Sequence, residues 1–267
     1  MKRSLLFWLL AFIITLTSAI YQRMTGPTYP VSGKVEVGGK EISYKLKRSD
    51  ESVKNHIVQI SVPDSTILGY IEWKRFKTND AWTRTNMIYN KGILTAELPV
   101  QPPAGKLQYK VYLQDSQSNP ATPLNNEPVI IRFKGVVPLV VLIFHVIIIF
   151  SAMLFSARTG IEAFSPQPNF TGLTYWTVVL LFSGGLILGP IVQKYAFDAF
   201  WTGWPFGHDL TDNKTAVALL SWIAAAISLK KSAHPKRWIL AAALITLVVF
   251  LIQHSVLGSE LDYSKMK

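Results

Sequence analysis

Three histidines and two aspartates are the residues of this chain whose types and spacing suit chemistry. His208, Asp209 and Asp212 fall together in the segment Phe200-Trp201-Thr202-Gly203-Trp204-Pro205-Phe206-Gly207-His208-Asp209-Leu210-Thr211-Asp212-Asn213. His254 closes a later apolar run, and His145 lies inside another, Leu142-Ile143-Phe144-His145-Val146-Ile147. Imidazole and carboxylate are the ligands that a hard or borderline divalent metal accepts, so His208, Asp209, Asp212 and His254 make one candidate metal set. Histidines on separate helices also suit the axial positions of a haem iron, which makes His145 and His254 a candidate cofactor pair.

Each of these residues also has a plainer use. Asp212 or Asn213 suits the cap of a helix, where a carboxylate meets the positive end of the helix dipole. A lone imidazole in an apolar helix can stay neutral and bond to a neighbouring helix. Phe200, Trp201, Trp204 and Phe206 make an interfacial aromatic belt whatever the loop does, and Pro205 and Gly207 are turn formers. Glu260 and Asp262 read as solvated tail residues, and Arg158 and Glu162, four apart, as an ordinary helix-end pair.

Other chemistry is excluded by what the chain lacks. It has no cysteine, which removes disulfides, thiolate zinc sites, iron–sulfur clusters and thiol catalysis. No His-Glu-x-x-His helix, Gly-x-Ser-x-Gly elbow or phosphate-binding glycine loop is present. Ser183-Gly184-Gly185 hints at an intramembrane serine protease, but Ser183 and His254 differ in expected depth by roughly 10 Å on the helical rise, too far for proton relay. Gly185 and Gly189 instead form a small-residue face for helix packing. The net charge of +11 is spread over the polar segment and helix ends, without a basic–aromatic stripe, so nucleic acid is not an expected partner. A hydrolase using His208 as general base with Asp209 or Asp212 is the third and least favoured reading of these residues.

The elements that position these residues are apolar helices. A bilayer core needs about 20 apolar residues per helical pass, and five stretches approach that: about 4–20, 136–156, 174–193, 215–229 and 238–257. The first follows Met1-Lys2-Arg3 and is either a signal peptide, with Thr17-Ser18-Ala19 as its cleavage triplet, or a signal anchor, the preferred reading. The loop Lys230-Lys231-Ser232-Ala233-His234-Pro235-Lys236-Arg237 is strongly basic and belongs inside, as does the N-terminus. Five passes then leave residues 27–134, the 194–214 loop and the C-terminus outside. On this topology His145 lies about 13 Å into the bilayer, where an ionisable group is a functional candidate by default, and His208 and His254 lie at the outer surface.

Residues 27–134 alternate polar and apolar in about seven short segments bounded by Gly, Pro, Asn and Asp, the pattern of an antiparallel sandwich. Pro102-Pro103-Ala104-Gly105 before Lys106-Leu107-Gln108-Tyr109 resembles the corner ahead of a late strand in fibronectin type III and immunoglobulin-like domains. In organisation the chain resembles bacterial polytopic inner-membrane proteins that carry such an exported domain, a resemblance that implies no activity. The expected architecture is thus a transmembrane α-helical bundle of about five helices plus an exported all-β immunoglobulin-like sandwich. Its parts are 1–26 as anchor or signal peptide, 27–134 as sandwich and 135–267 as a four-helix membrane domain. Membrane lipid and a protein of the cell envelope are the expected partners. The expected function is that of a membrane-anchored accessory protein, with a haem- or metal-binding redox protein as the alternative.

Overall fold

A computed structural model describes residues 2–117, 120–253 and 256–265. The chain divides into two compact units, Met1–Pro27 with Val137–Ser259, and Thr28–Val136 with Glu260–Lys267.

The first unit is helical. Helix α1 (Lys2–Thr25) ends at Gly26-Pro27, where the proline ring disfavours helix for the residue before it. Helix α2 (Leu139–Glu162) starts directly after Pro138. Helix α3 (Thr171–Leu181) runs into a π-helical stretch, Phe182–Leu188, and on into α4 (Gly189–Phe197) as one continuous rod. Helix α5 (Leu210–Lys231) closes on Lys230 and Lys231, which favour the negative end of its dipole, and α6 (Pro235–Leu251) opens on a proline that fits a first helical turn. Helix α2 packs on α1, α3 and α6, while α5 packs between α3 and α6. The interior is built from Ala152, Leu181, Leu219, Trp222, Ala225, Ile239 and Ala242. There the Trp222 indole N–H donates to the Thr246 hydroxyl at 2.8 Å.

Among the described residues three helices are long and apolar enough to cross a membrane: Arg3–Thr25, Leu139–Glu162 and Thr171–Phe197. Helices α5 and α6, the last two of the five expected stretches, are not among these three. Helix α5 spends its first turn on Thr211, Asp212, Asn213 and Lys214, which lowers its apolar character. Helix α6 is 17 residues long, because the backbone turns extended at Ile252 instead of continuing to 257.

The second unit is all β apart from a short 3-10 turn at Tyr263–Lys265. Strands β1 (Val31–Val37) and β2 (Lys40–Leu46) form a hairpin whose turn residues Gly38 and Gly39 both have positive φ, 58° and 71°. Such a turn matches the twist of its strands. One sheet has the order β3-β11-β9-β5-β6, from β3 (Ser49–Glu51), β5 (Ile67–Arg75), β6 (Thr83–Asn86), β9 (Lys106–Asp115) and β11 (Val129–Lys134). The two-residue β10 (Thr122–Pro123) pairs with β9. All its pairings are antiparallel except β3 on β11, which is parallel. The other sheet has the order β4-β8-β7, from β4 (His56–Ser61), β7 (Ile88–Asn90) and β8 (Ile93–Leu98).

Alternate residues of the strands meet in one core, including Ile42, Val58, Ile60, Ile71, Leu94, Leu98, Leu107, Val111, Ile131 and Phe133. Seven strands coincide with the alternating segments of the sequence. Strands β3, β6, β7 and β10 were not expected, because Ser-Asp-Glu, Thr-Arg-Thr-Asn, Ile-Tyr-Asn and Thr-Pro carry no apolar alternation. The tail also departs from expectation. Glu260 is paired with Lys77 and Lys106 at 2.6 and 2.5 Å, and the Tyr263 hydroxyl accepts from the Lys106 amide.

Candidate functional site

The segment from Phe197 to Asp212 is shaped by two aspartates. Helix α4 stops where Asp198 takes a left-handed conformation, φ 61°, with its amide donating to the Lys194 carbonyl. The chain then loops back to the start of α5, and Asp212 in the first turn of that helix receives it. One oxygen of Asp212, Oδ2, accepts from the backbone amides of Thr202 at 2.7 Å and Gly203 at 2.9 Å, and from the Gln193 side chain at 3.2 Å. Gly203 is required here: a Cβ at that position would sit 2.6 Å from the Asp212 Cβ. Asn213 adds a parallel bond, its Oδ1 accepting from the Trp204 amide at 2.7 Å.

Asp209 serves as the N-cap of α5. Its Oδ1 accepts from the Thr211 amide at 2.8 Å. Its Oδ2 accepts from the Ser259 amide and hydroxyl at 2.8 and 2.9 Å and from the Thr202 hydroxyl at 3.2 Å. Burial by itself would raise the Asp209 carboxyl, but these hydrogen bonds to its charged form outweigh burial and hold it below the usual aspartate range. The two carboxylates therefore act as a clasp. They gather Gln193, Thr202, Gly203 and Ser259 around the end of one helix and the beginning of the next.

The sequence candidates are distributed unequally over this clasp. Asp209 and Asp212 are brought together, joined through the Thr202 hydroxyl. His208, although adjacent in sequence, is exposed. His254 lies outside the described residues. Among the described residues no three His, Asp or Glu side chains gather in a way that could hold a metal ion. A metal at Asp209 and Asp212 would compete with the amide and hydroxyl donors that these carboxylates already accept.

His145 is separate and half-buried on α2. Its Nδ1 lies 3.1 Å from the Gly184 carbonyl, inside the π-helical stretch. That carbonyl also accepts from the Gly189 amide. With Nδ1 as the donor, Nε2 carries the lone pair, the atom a haem iron or other metal would take. Gly184 permits this packing: a Cβ there would lie 3.1 Å from the Ile149 amide nitrogen and 3.3 Å from its Cα.

A second candidate surface lies in the β unit, on the face of the β5-β6-β9 sheet turned away from the core. Tyr70 and Tyr112 are cross-strand partners with stacked rings, centroids 4.8 Å apart. The Arg84 guanidinium lies 3.5 Å from the Tyr70 ring centroid. Lys74 and Lys110 approach the Trp82 ring at 5.5 and 5.9 Å, and Trp82 is 40% exposed. Among the described residues, Lys74, Arg84 and Lys110 form no ion pair. Glu72 is flanked in register by Lys110 and Arg84.

Sequence reasoning missed Gln193, Thr202 and Ser259 in the clasp and the whole aromatic and cationic face. A glutamine near the end of an apolar helix was a usable signal for the first. The face had a weaker one, since Tyr70, Glu72 and Lys74 alternate with buried residues, but Arg84 and Trp82 join them only through the fold.

Compared with protein-family models, with curated proteins and with solved structures, the chain gives no significant match in any of the three.

Proposed function

We propose that this chain is a multi-pass protein of the plasma (inner) membrane whose exported immunoglobulin-like domain binds an acidic surface of a partner protein in the envelope. The observation that carries this reading is the face formed by Tyr70, Trp82, Arg84, Lys74, Lys110 and Tyr112. Aromatic and arginine side chains are the types enriched where proteins dock. Its three cations lie against aromatic rings and outnumber the single carboxylate set among them, Glu72, so the face keeps a net positive charge to be matched from outside. The helical unit offers less for catalysis, because the carboxylates of its clasp are engaged by donors of their own chain.

The immunoglobulin-like reading is supported by strand order. A short first strand runs parallel to the last in the larger sheet, and β4-β8-β7 faces it across a shared core. The five-pass reading is supported by packing: α5 and α6 lie against α2 and α3 while presenting Leu220, Ile227, Leu244 and Val248 outward, as lipid contact requires. With the basic 230–237 loop inside, the β unit and the C-terminus fall outside.

The test is a photo-crosslinking residue at position 82, used in native membranes, with and without the charge reversals Lys74→Glu, Arg84→Glu and Lys110→Glu. An adduct with an acidic protein, lost on reversal, supports the reading. No adduct, or one indifferent to reversal, removes its basis. A second reading rests on His145, whose bond to the Gly184 carbonyl leaves Nε2 as the ligating nitrogen. Its test is an absorption spectrum and elemental analysis of the purified protein. A haem band or stoichiometric metal lost in His145→Ala would favour that reading.

A further inference from the structure

The N-terminal helix carries two opposed signals, a length that suits an anchor and a small-residue triplet at Thr17-Ser18-Ala19 that suits cleavage. The contacts of α1 decide between them. Its buried face is made of Phe7 and the small residues Ala11, Thr15 and Ser18. This spacing of small residues lets backbones approach closely, and α1 packs on both α2 and α6.

At the inner end, Arg158 of α2 is only 5% exposed. Its guanidinium lies 5.3 Å from the Phe7 ring centroid and 5.5 Å from that of Trp8, and its Nη1 donates to Glu162 at 2.6 Å. Trp8 also meets Phe155 edge-on, centroids 5.2 Å apart. A pair that the sequence presented as an ordinary helix-end pair is a buried one, and α1 supplies its aromatic cover. Taking that cover away would leave a buried guanidinium facing hydrocarbon, which is costly.

At the outer end, the Gln22 side chain donates to the carbonyls of Phe250 and Ile252 at 3.0 and 3.2 Å. The last carbonyls of a helix lack partners within it, so α1 supplies a cap to α6. Gln253 returns a bond to the Thr25 hydroxyl at 3.2 Å. The cleavage triplet itself lies in mid-helix, with Ser18 buried and helix continuing to Thr25.

We infer that residues 2–25 remain in the mature protein as a structural helix of the membrane unit, held by Arg158 at one end and Gln22 at the other. The test is the intact mass and N-terminal sequence of the protein isolated from the membranes of cells that make the full chain. A mature N-terminus at Met1 or Lys2 supports the inference, and one at Ile20 or anywhere else within or beyond α1 overturns it. A companion variant places residues 26–267 behind a heterologous cleavable signal, so that all of α1, Gln22 and Thr25 included, is removed by design. It should lose the cooperative thermal transition of the helical unit in detergent. If it melts as the full chain does, α1 is dispensable and the inference fails even where cleavage is absent.

Discussion

Replacing Asp212 by alanine should release the loop that precedes α5. The substitution strands two backbone donors, the amides of Thr202 and Gly203, now bonded to Asp212 at 2.7 and 2.9 Å. Each stranded donor costs about 1–3 kcal/mol when water cannot fully replace the acceptor. Gly203 is buried and Thr202 half-buried, so about 3 kcal/mol in total is a moderate expectation. At about 1.4 kcal/mol per tenfold, local opening becomes roughly a hundred times more frequent.

Amide hydrogen exchange in detergent reads this directly, provided that the reporters are not the stranded amides themselves. Phe206 and Gly207 donate to the Gly203 carbonyl, and Asp209 donates to that of Thr202, at 2.9, 2.9 and 3.0 Å. Their protection should fall by about a hundredfold in Asp212→Ala. Asp212→Asn keeps one carbonyl oxygen as acceptor and loses the charge, so its loss should be smaller, about tenfold. His208→Ala, at an exposed neighbour, should change nothing. Unchanged protection of Phe206, Gly207 and Asp209 in Asp212→Ala would refute the clasp and reopen the site as one built for a ligand.

Two further predictions concern the buried histidine of the β unit and the glycines of the π-helical stretch. His56 is 2% exposed, with Nδ1 bonded to the Asp50 carboxylate, and burial pulls its pKa below 6.5 in spite of that carboxylate. The unfolded chain therefore takes up the proton first as pH falls below 6.5. Stability of the β unit should drop as pH falls below about 6.5, and level off once His56 protonates in the folded state as well. His56→Asn, which can keep a donor toward Asp50 but does not titrate, should flatten that dependence in denaturant unfolding followed at β4 and β8. A slope as steep as that of the unmodified protein would show that another group titrates. Gly184→Ala should cost about 1–3 kcal/mol, because the new methyl meets the backbone of Ile149, which cannot rotate away. Thermal unfolding in detergent measures it, and a variant as stable as the parent would mean that α2 and the π-helical stretch are not closely packed.

Much of this architecture was legible in the chain. Period-two alternation placed seven strands because each buries one face, as in β9, where Leu107, Tyr109, Val111 and Leu113 point inward. Apolar runs placed α2 and the long third rod, though α2 runs six residues past its expected end, since a bilayer-length helix needs little beyond continuous apolar character. Asp212 was legible as a helix-start residue, but the cap of α5 is Asp209. Which of two nearby aspartates caps depends on where the incoming loop turns, and that is fixed by Gly203 and Gly207.

What the sequence determined by itself is whatever follows from local periodicity and composition: an alternating polar segment set between apolar helices, a basic loop between the last two of them, and the lack of thiol chemistry. Tertiary structure decided which polar groups meet. Asp212 and Gln193 are joined across a loop, Arg158 is covered by rings from a helix more than a hundred residues earlier, and Arg84 comes to Tyr70 only through strand register. The reason is physical. Periodicity records the side of an element that leaves water, whereas a hydrogen bond or a ring contact depends on a distance of a few ångströms set by the packing of elements far apart in the chain.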